Sequence, residues 1–418
     1  MKVCIITGTP VDSILKRDSG GALRIHFIAK YLSKKVKRIT IVAQSDQFRL
    51  ERFDNVTIIG VPIPSLLLRF TKKFFLRKFL ETTVLDYAIY FILEANPSFL
   101  NISRSLIKCS DAVIIAGSRF QILPIIYSKM HRKIVVFDLF GSSLLLLTRK
   151  FGELLRIPFR MLRLIICSIG ELITAKLSDY VVVSSPQDKF ALIKLMGKEP
   201  TRVHIIPDGV DLSFMQHLEH YETLAKEIRQ KTFLEKKMLI SFIGNLRSIP
   251  NVYAVKEIID RIIPSLRSKY SNLRFHFLVI GPYKFLPRRF LKCSHVTFTG
   301  YVEDPIPYLM ASDICVAPLT QGTGTKTKVI LYMACGKPII TTSIGAEGLG
   351  LDHGKDAIVC EVERMADYIA KLAFDKNLRQ ALGKAAKTKA KDFDWVKRAD
   401  HFYALLKDIV KYQGEENP

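Results

Sequence analysis

Short runs of β-branched and other apolar residues alternate with helix-like stretches along most of this chain. In the first half these runs occupy residues 3–8, 39–43, 57–61, 112–116, 134–138 and 180–184, and Leu23 to Leu32 has helical spacing. A second series begins at Leu239 with LISFIG and continues through FHFLVIG, VTFTG, DICVAPL and PIITTS. Such alternation is typical of βαβ units, which build parallel sheets covered by helices on both faces. The pattern therefore predicts an α/β fold with two Rossmann-like domains.

The two series are separated by VHIIPDGVDLSFM at 203–215, where Pro207, Asp208 and Gly209 signal a turn. With 418 residues the chain is long enough to bury two cores of ordinary size. We therefore expect an N-terminal domain over residues 1–206 and a C-terminal domain over 207–395. Residues 396–418 are expected to form a C-terminal helix that packs back on the N-terminal domain.

The formal net charge of +24 points to anionic partners. No nucleic-acid motif or basic–aromatic repeat accompanies the charge in the sequence, so we expect no nucleic acid partner. Binding to a duplex would instead predict a steep dependence on salt. An anionic membrane surface is the stronger candidate.

Two apolar stretches of the first half are punctuated by basic residues. SLLLRFTKKFFLRKFL at 65–80 carries five basic residues and no acidic one, and in residues 156–166 Pro158 opens a helix-like stretch that includes Arg160 and Arg163. Basic amphipathic segments of this kind suit an anionic membrane interface. We predict membrane binding through both segments, with a buried helix that has a solvated basic edge as the alternative.

The remaining composition favours a cytoplasmic protein. The start MKVCIITGTP reads as a first strand, since it lacks the long apolar region and cleavage site of a secretory signal. The seven cysteines are odd in number and widely scattered, which indicates reduced thiols. Their spacing provides no metal-ligand pattern, and we expect neither a metal nor a cofactor.

The strongest local signal for chemistry is GTGTKTKVILYMACGKPIITTSIGAEGL, from Gly322 to Leu349. Its small residues let backbone N–H groups approach an anion, and the helix that follows adds partial positive charge at its N-terminus. Lys326 and Lys328 are placed to neutralise a diphosphate. An ordinary surface turn has a similar composition, so the neighbouring segments decide between the two interpretations.

This loop resembles the sugar-nucleotide segment of the retaining GT-B glycosyltransferases of family 4, also called group 1. The resemblance covers almost the whole chain and includes SGGALR at 19–24, LSDYVVVSSPQDKFAL at 177–192, VHIIPDGVD at 203–211, FIGNLRSIPN at 242–251, FLVIGP at 277–282 and VTFTGYVEDPIPYLMASDICVAPL at 296–319. It implies the GT-B fold, in which two Rossmann-like domains with parallel sheets face each other across a cleft. The N-terminal domain would lie on the acceptor side and the C-terminal domain would bind the nucleotide sugar.

The resemblance also implies transfer of a sugar from an NDP-sugar donor with retention at the anomeric carbon. Because the leaving diphosphate gains negative charge, cations and backbone donors aimed at it lower the barrier. The candidates for this role are Lys326, Lys328 and the amides of Gly324, Thr325, Gly20 and Gly21.

The nucleoside is expected at the carboxyl ends of the second series of strands, where open α/β sheets bind ligands. Its candidate neighbours are Gly244, Gly281, Tyr301 and Val302, for which simple packing at the strand ends is the alternative. Glu347 in GAEGL is expected near the sugar hydroxyls, with helix capping as the competing interpretation. We treat Lys326, Lys328 and Glu347 as the candidate catalytic residues.

Several positions depart from the family pattern. Leu331 stands where the family has a Glu that hydrogen-bonds the ribose, and Thr323 replaces the acid eight residues earlier. Asn245 and Pro250 occupy positions where many relatives have an Arg and a Lys on the diphosphate. Arg247 is a candidate substitute, although a solvated loop arginine is equally consistent with the sequence.

Two functional hypotheses follow. The leading one is a glycosyltransferase that is peripheral at the inner face of the cell membrane and moves a hexose to a lipid-linked or surface-polysaccharide acceptor. The alternative is a catalytically weak or silent GT-B homologue that acts as a binding or scaffold subunit. It is motivated by Leu331 and Asn245, and by Phe140 near the position where relatives often carry a His that contacts the transferred sugar.

Overall fold

The computed structural model describes residues 1–62, 96–117, 121–154, 158–197, 199–231, 236–283, 286 and 288–416. The predicted membrane segment 65–80 lies outside these residues. The chain divides into two compact units, one formed by Met1–Pro207 with Val396–Pro418 and the other by Asp208–Trp395.

The first unit is built on an eight-stranded sheet with the order β3-β4-β2-β1-β5-β6-β7-β8. All neighbouring strands pair in parallel except β3, which is antiparallel to β4. The central strands are almost entirely buried because helices cover the sheet, and the six predicted runs are confirmed as strands. The strands are β1 (Lys2–Pro10), β2 (Arg38–Ser45), β3 (Arg49–Phe53), β4 (Val56–Pro62), β5 (Ala112–Ala116), β6 (Ile134–Leu139), β7 (Tyr180–Val183) and β8 (Val203–Ile205).

The helices of the first unit follow the strands in chain order. They include α1 (Val11–Lys16), α2 (Gly20–Leu32), α3 (Pro97–Lys108), α4 (Ile122–Met130), α5 (Ser143–Leu154), α6 (Pro158–Leu177) and α7 (Pro186–Met196). Helix α2 begins before the predicted Leu23, because the Ser19 side chain accepts a hydrogen bond from the amide of Ala22 and so caps the glycine pair. Helix α6 opens at Pro158, where the sequence predicted a helix to begin.

The second unit contains a six-stranded sheet, β11-β10-β9-β12-β13-β14, whose neighbouring strands are all parallel. Its strands are β9 (Met238–Ile243), β10 (Phe275–Ile280), β11 (Val296–Phe298), β12 (Ile314–Ala317), β13 (Ile339–Thr341) and β14 (Ile358–Val359). Its helices are α8 (Leu218–Lys231), α9 (Ile249–Glu257), α10 (Ile263–Lys269), α11 (Ile306–Met310), α12 (Thr327–Ala334), α13 (Ser343–Ala346), α14 (Met365–Phe374) and α15 (Lys376–Ala390). A single continuous core of buried apolar residues runs between sheet and helices.

A π-helical turn at Ile258–Ile262 joins α9 to α10. Pro264 lies in the first turn of α10, and its missing N–H removes one regular helical hydrogen bond to the preceding turn. The wide turn therefore absorbs the interruption without ending the helical path.

The two ends of the second unit lie side by side. The amide of Val210 donates to the carbonyl of Phe393 at 2.8 Å, and the amide of Trp395 donates to the carbonyl of Val210 at 3.1 Å. Gly209 is required here, because a Cβ at this position would lie 2.7 Å from the Phe393 carbonyl oxygen. The segments through which the chain enters and leaves this unit are therefore hydrogen-bonded to each other.

The last helix, α16 (Trp395–Glu416), begins at the end of the second unit and belongs to the first unit from Val396 onward. Phe402 and Leu406 are fully buried, and Asp400 forms an ion pair with Lys35 at 2.9 Å. Within the part of the chain that the structure describes, no helix is both long enough and apolar enough to cross a bilayer.

Candidate functional site

The candidate site lies at the carboxyl ends of β9, β10 and β12 in the second unit. Three connections leave the sheet there: the turn at 244–248, the residues that follow β10, and the loop at 318–326 that leads into α12. In open parallel sheets this edge is the usual position of a ligand.

Helix α12 is anchored to the sheet through Tyr332. The Tyr332 hydroxyl accepts a hydrogen bond from the amide of Ile243 at 2.8 Å and donates to the carbonyl of Val316 at 3.4 Å. Because these partners belong to β9 and β12, α12 is held against both strands. The first helical amides have no acceptor within the helix and therefore attract anions.

The loop before α12 is fixed at Thr325. Its hydroxyl donates to Asp208 Oδ2 at 2.9 Å and accepts from the Asp208 amide at 3.0 Å, and both residues are buried. Gly322 and Gly324 have φ angles of +132° and +69°, which side chains other than glycine rarely tolerate. The loop conformation is therefore determined by its own glycines and by the residue at which the second unit begins.

Lys326 and Glu347 form an ion pair inside this loop. Lys326 Nζ lies 3.7 Å from Glu347 Oε2, and the two side chains are only 10% and 4% exposed. The ammonium also donates to the carbonyls of Thr323, at 3.2 Å, and Gly324. Glu347 follows the short helix α13, whose N-terminus is capped by Thr342, so helix capping is not the role of this carboxylate.

Lys328 has a different environment. Its ammonium donates to Asn251 Oδ1 and lies 4.3 Å from the centre of the Phe242 ring. The residue keeps some exposed surface, but the ammonium is withdrawn from solvent. Desolvation, followed by repulsion from Lys326, lowers the pKa of the Lys328 ammonium from 10.5 to about 7. An anionic ligand would restore its ordinary protonation.

The candidate nucleoside residues lie along the same edge. A Cβ at Gly281, whose φ is +129°, would lie 2.4 Å from the carbonyl oxygen of Gly244, and a Cβ at Gly244 would overlap the side chain of Asn251. Close packing of the two turns therefore accounts for both glycines. Tyr301 is 58% exposed, whereas Val302 is half-buried against the core.

Two of the unusual positions can now be placed. Leu331 is half-buried in α12 and packs against the core of the second unit. Asn245 supplies a side-chain oxygen to the amide of Arg247 at 3.0 Å, and Arg247 itself is exposed. Neither Leu331 nor Asn245 brings a charge to the site.

In the first unit, Gly20 and Gly21 begin helix α2. The space around Gly20 is open, whereas a Cβ at Gly21 would lie 2.6 Å from Cδ2 of Phe140. Phe140 follows β6, so it packs against the glycine turn at the carboxyl edge of the first sheet.

This edge is stabilised by buried charges. The Arg24 guanidinium binds both carboxylate oxygens of Asp138 at 2.7–3.0 Å and donates to the carbonyl of Ile206 at 2.9 Å. Glu171 accepts from the Ser142 hydroxyl at 2.5 Å and the Ser143 amide at 2.6 Å. Burial, countered in part by these hydrogen bonds, raises the pKa of the Glu171 carboxyl from 4.5 to about 7.

Residues 237–375 match the family model described as glycosyl transferases group 1. The chain also superposes on the solved structure of Anabaena HepE in complex with UDP and glucose, with a TM-score of 0.67 and 15% identity, over 97% of this chain and 99% of the other. The chain has the GT-B fold, and residues 237–375 of its second unit are similar to the group 1 glycosyltransferases. The fold expected from the resemblance is thus confirmed.

Curated relatives of this GT-B protein are glycosyltransferases. A D-inositol 3-phosphate glycosyltransferase of Kribbella flavida is 23% identical over 59% of this chain. The matched region spans 61% of the length of that relative. An uncharacterized glycosyltransferase of Methanocaldococcus jannaschii is 25% identical over 75% of this chain and 80% of its own length.

The structure brings Lys326, Lys328, Glu347, Gly324 and Thr325 of the GT-B protein into one loop region. Sequence reasoning missed Asn251, which holds Lys328, and the bond between Asp208 and Thr325. Both contacts join segments far apart in the chain, 77 and 117 residues respectively. The available signal for Asn251 was its place in FIGNLRSIPN, directly after Pro250.

Among the described residues, no group of three or more His, Cys, Asp or Glu side chains is arranged to hold a metal ion.

Proposed function

We propose that this protein is a glycosyltransferase that moves a hexose from an NDP-sugar to a lipid-linked or cell-surface polysaccharide acceptor with retention of configuration. The observation that carries this proposal is the meeting of Lys326, Lys328 and the first turn of α12 at the carboxyl edge of a parallel sheet. The match of residues 237–375 to the group 1 glycosyltransferases supports the same chemistry.

The two lysines would act on the leaving diphosphate. As the bond to the anomeric carbon breaks, negative charge grows on the phosphate oxygens, and ammonium groups already in place stabilise it without reorganisation. Lys326 is held by Glu347, whereas Lys328 rests on neutral groups. Glu347 would orient Lys326 and accept a hydrogen bond from a sugar hydroxyl. Retention is part of the proposal because the resemblance to retaining glycosyltransferases implies it. In this proposal the two lysines stabilise the diphosphate, so the reaction needs no metal cofactor.

The nucleoside would lie along the turns at Gly244 and Gly281, with the exposed ring of Tyr301 beside the base and Val302 beneath it. Leu331 offers the ribose no hydrogen-bond acceptor, which would weaken ribose binding by roughly 1–3 kcal/mol relative to a buried carboxylate partner. Gly20 and Gly21 remain candidates for backbone donation to the donor from the first unit.

A membrane location is proposed for the acceptor step. The net charge of +24 favours an anionic surface, and the basic segment 65–80 is proposed to bind it. In the other segment, 156–166, helix α6 exposes Leu162, whose exposed fraction is 45%. Ile169, further along the same helix, is 46% exposed. These residues are seven positions apart and therefore share a helical face, as an interfacial helix requires.

The diphosphate role can be tested by replacing both lysines. Lys326→Ala/Lys328→Ala should abolish binding of nucleoside diphosphates in calorimetric titrations of the folded variant. Lys376→Ala/Lys384→Ala removes two exposed lysines of the same unit and serves as the matched control. Unchanged affinity in the first variant would remove the loop from the donor site.

One observation favours the second candidate, a silent homologue that acts as a scaffold. Leu331 packs into the core where relatives have a ribose-binding Glu, and Asn245 supplies no charge to the diphosphate. A scaffold has no need to retain a donor site, so the titrations distinguish the two functions.

A further inference from the structure

Lys326, at the end of the loop, and Lys328, in the first turn of α12, are held in different ways. Lys326 is paired with a carboxylate, Glu347, and is further bound by carbonyls of its own loop. Lys328 instead donates to the neutral side-chain oxygen of Asn251. Lys326 is therefore paired with a carboxylate, whereas the side chain that accepts from Lys328 is neutral.

Asn251 is itself fixed in position. Its Nδ2 donates to the carbonyl of Asn245 at 2.9 Å, and its backbone amide donates to the carbonyl of Ser248 at 3.0 Å. The side chain also packs directly on Gly244, where a Cβ would lie 2.8 Å from Nδ2. With Nδ2 engaged on the turn, Oδ1 faces the Lys328 ammonium.

The groups around Lys328 come from three elements. Phe242 at the end of β9 lies under the ammonium, Asn251 of α9 accepts its hydrogen bond, and Lys326 approaches from the same loop. Glu347 reaches this cluster through Lys326. An ammonium in a setting of neutral and like-charged groups is stabilised strongly by a bound anion.

The hydrogen bond between Lys328 and Asn251 also brings a positive charge to a turn where Asn245 and Pro250 supply none. Asn245 and Pro250 stand where many relatives carry basic residues, and Asn251 ties Lys328 to the carbonyl of Asn245. The ammonium of Lys328 is therefore held beside the same turn.

We propose that Asn251 is the positioning residue for Lys328, and that it holds the ammonium beside the turn at 244–245 for a diphosphate oxygen while leaving its charge uncompensated. This role rests on the proposed function of the loop as a donor site. It explains why the acceptor is an amide, because a carboxylate at this position would neutralise Lys328 before the ligand arrives.

The test combines calorimetric titration with a double-mutant cycle. UDP, GDP, ADP, dTDP and their sugar conjugates are titrated into the wild type, Asn251→Ala, Lys328→Met and the double variant, with Asn272→Ala, an exposed turn residue, as control. Asn251→Ala should weaken binding about 10-fold or more, as expected for a hydrogen bond to a charged group. In the Lys328→Met background the same change should have almost no effect, because a residue that acts through Lys328 has nothing left to position.

Asn251→Asp provides a second variant that keeps the packing on Gly244. Its carboxylate should weaken nucleotide binding about 10-fold or more and should reduce proton uptake on binding, measured by titration in buffers of different ionisation enthalpy. Without any nucleotide, it should also flatten the rise of stability between about pH 7 and 10 that Lys328 produces.

The outcomes distinguish failure of the donor-site function from failure of the positioning role of Asn251. If the wild type binds none of UDP, GDP, ADP, dTDP and their sugar conjugates, the donor-site function fails. If the wild type binds one of them but Asn251→Asp binds it equally well, or if the losses of Asn251→Ala and Lys328→Met simply add, the positioning role is refuted.

Discussion

Lys328→Met is expected to stabilise the protein at pH 7 while it weakens nucleoside diphosphate binding. Desolvation, followed by repulsion from Lys326, lowers the pKa of the Lys328 ammonium to about 7 in the folded protein, against 10.5 for an unperturbed lysine. Between these pH values the unfolded chain binds a proton that the folded protein does not. Wild-type stability therefore rises with pH over this interval, and at pH 7 the folded state bears most of the penalty.

The magnitude follows from the shift and from the contacts that are lost. One pKa unit is worth about 1.4 kcal/mol, so the penalty at pH 7 is at most roughly 5 kcal/mol. Methionine lacks the hydrogen bond to Asn251 and the contact of a cation with the Phe242 ring, which together offset about 2–3 kcal/mol. We expect a net gain of about 2 kcal/mol, which raises Tm by roughly 4–8 °C for a unit of this size.

Thermal and urea unfolding between about pH 7 and 10 would measure this gain, with the exposed Lys384→Met as control. The advantage of Lys328→Met should shrink as pH rises toward the ordinary lysine pKa. Nucleotide affinity should fall by roughly 10- to 150-fold, the value of a hydrogen bond to a charged group. A variant that is less stable than the wild type at pH 7, or that has the same pH slope, would refute the description of Lys328 as a desolvated ammonium.

Three further predictions concern the first unit. Because burial raises the pKa of Glu171 to about 7, the free energy of unfolding of the wild type should fall by on the order of 2–3 kcal/mol as pH rises from about 4.5 to 7. Glu171→Gln should remove this pH dependence. Unfolding free energies of the two proteins that change in parallel with pH would contradict the prediction. Arg24→Met breaks a buried ion pair and should cost about 3–5 kcal/mol in urea unfolding, part of which Arg24→Met/Asp138→Asn should recover. If Asp138→Asn gives no recovery, the loss does not come from an unpaired carboxylate. The protein should sediment with anionic but not neutral liposomes and should dissociate at high salt, and equal binding to both kinds of liposome would exclude electrostatic attraction.

Much of the fold follows from sequence because parallel strands buried on both faces need continuous apolar runs. Such runs located all the central strands of both sheets, including LISFIG at β9 and FHFLVIG at β10. Strand β3, Arg49–Phe53, was missed because three of the five residues in its sequence RLERF are charged. That pattern suits an edge strand paired only with β4, but it is too short to distinguish from a loop.

The site was predictable in its chemistry but not in its pairings. Two lysines beside a Gly/Thr loop at the start of a helix indicate anion binding whatever the surrounding tertiary contacts are. Which lysine meets Glu347 and which meets Asn251 depends on how loops from different strands approach one another. Residues 251 and 328 are brought together only by the order of β9 and β12 in the sheet.

The most direct test of the donor site is a calorimetric screen of the purified protein against UDP, GDP, ADP and dTDP and their sugar conjugates. A nucleoside diphosphate site predicts selective binding of one base, accompanied by a rise in stability of RT ln(1 + [L]/Kd). That rise should disappear in Lys326→Ala/Lys328→Ala. Absence of binding by every nucleotide and every conjugate would contradict the donor site and would favour the silent homologue.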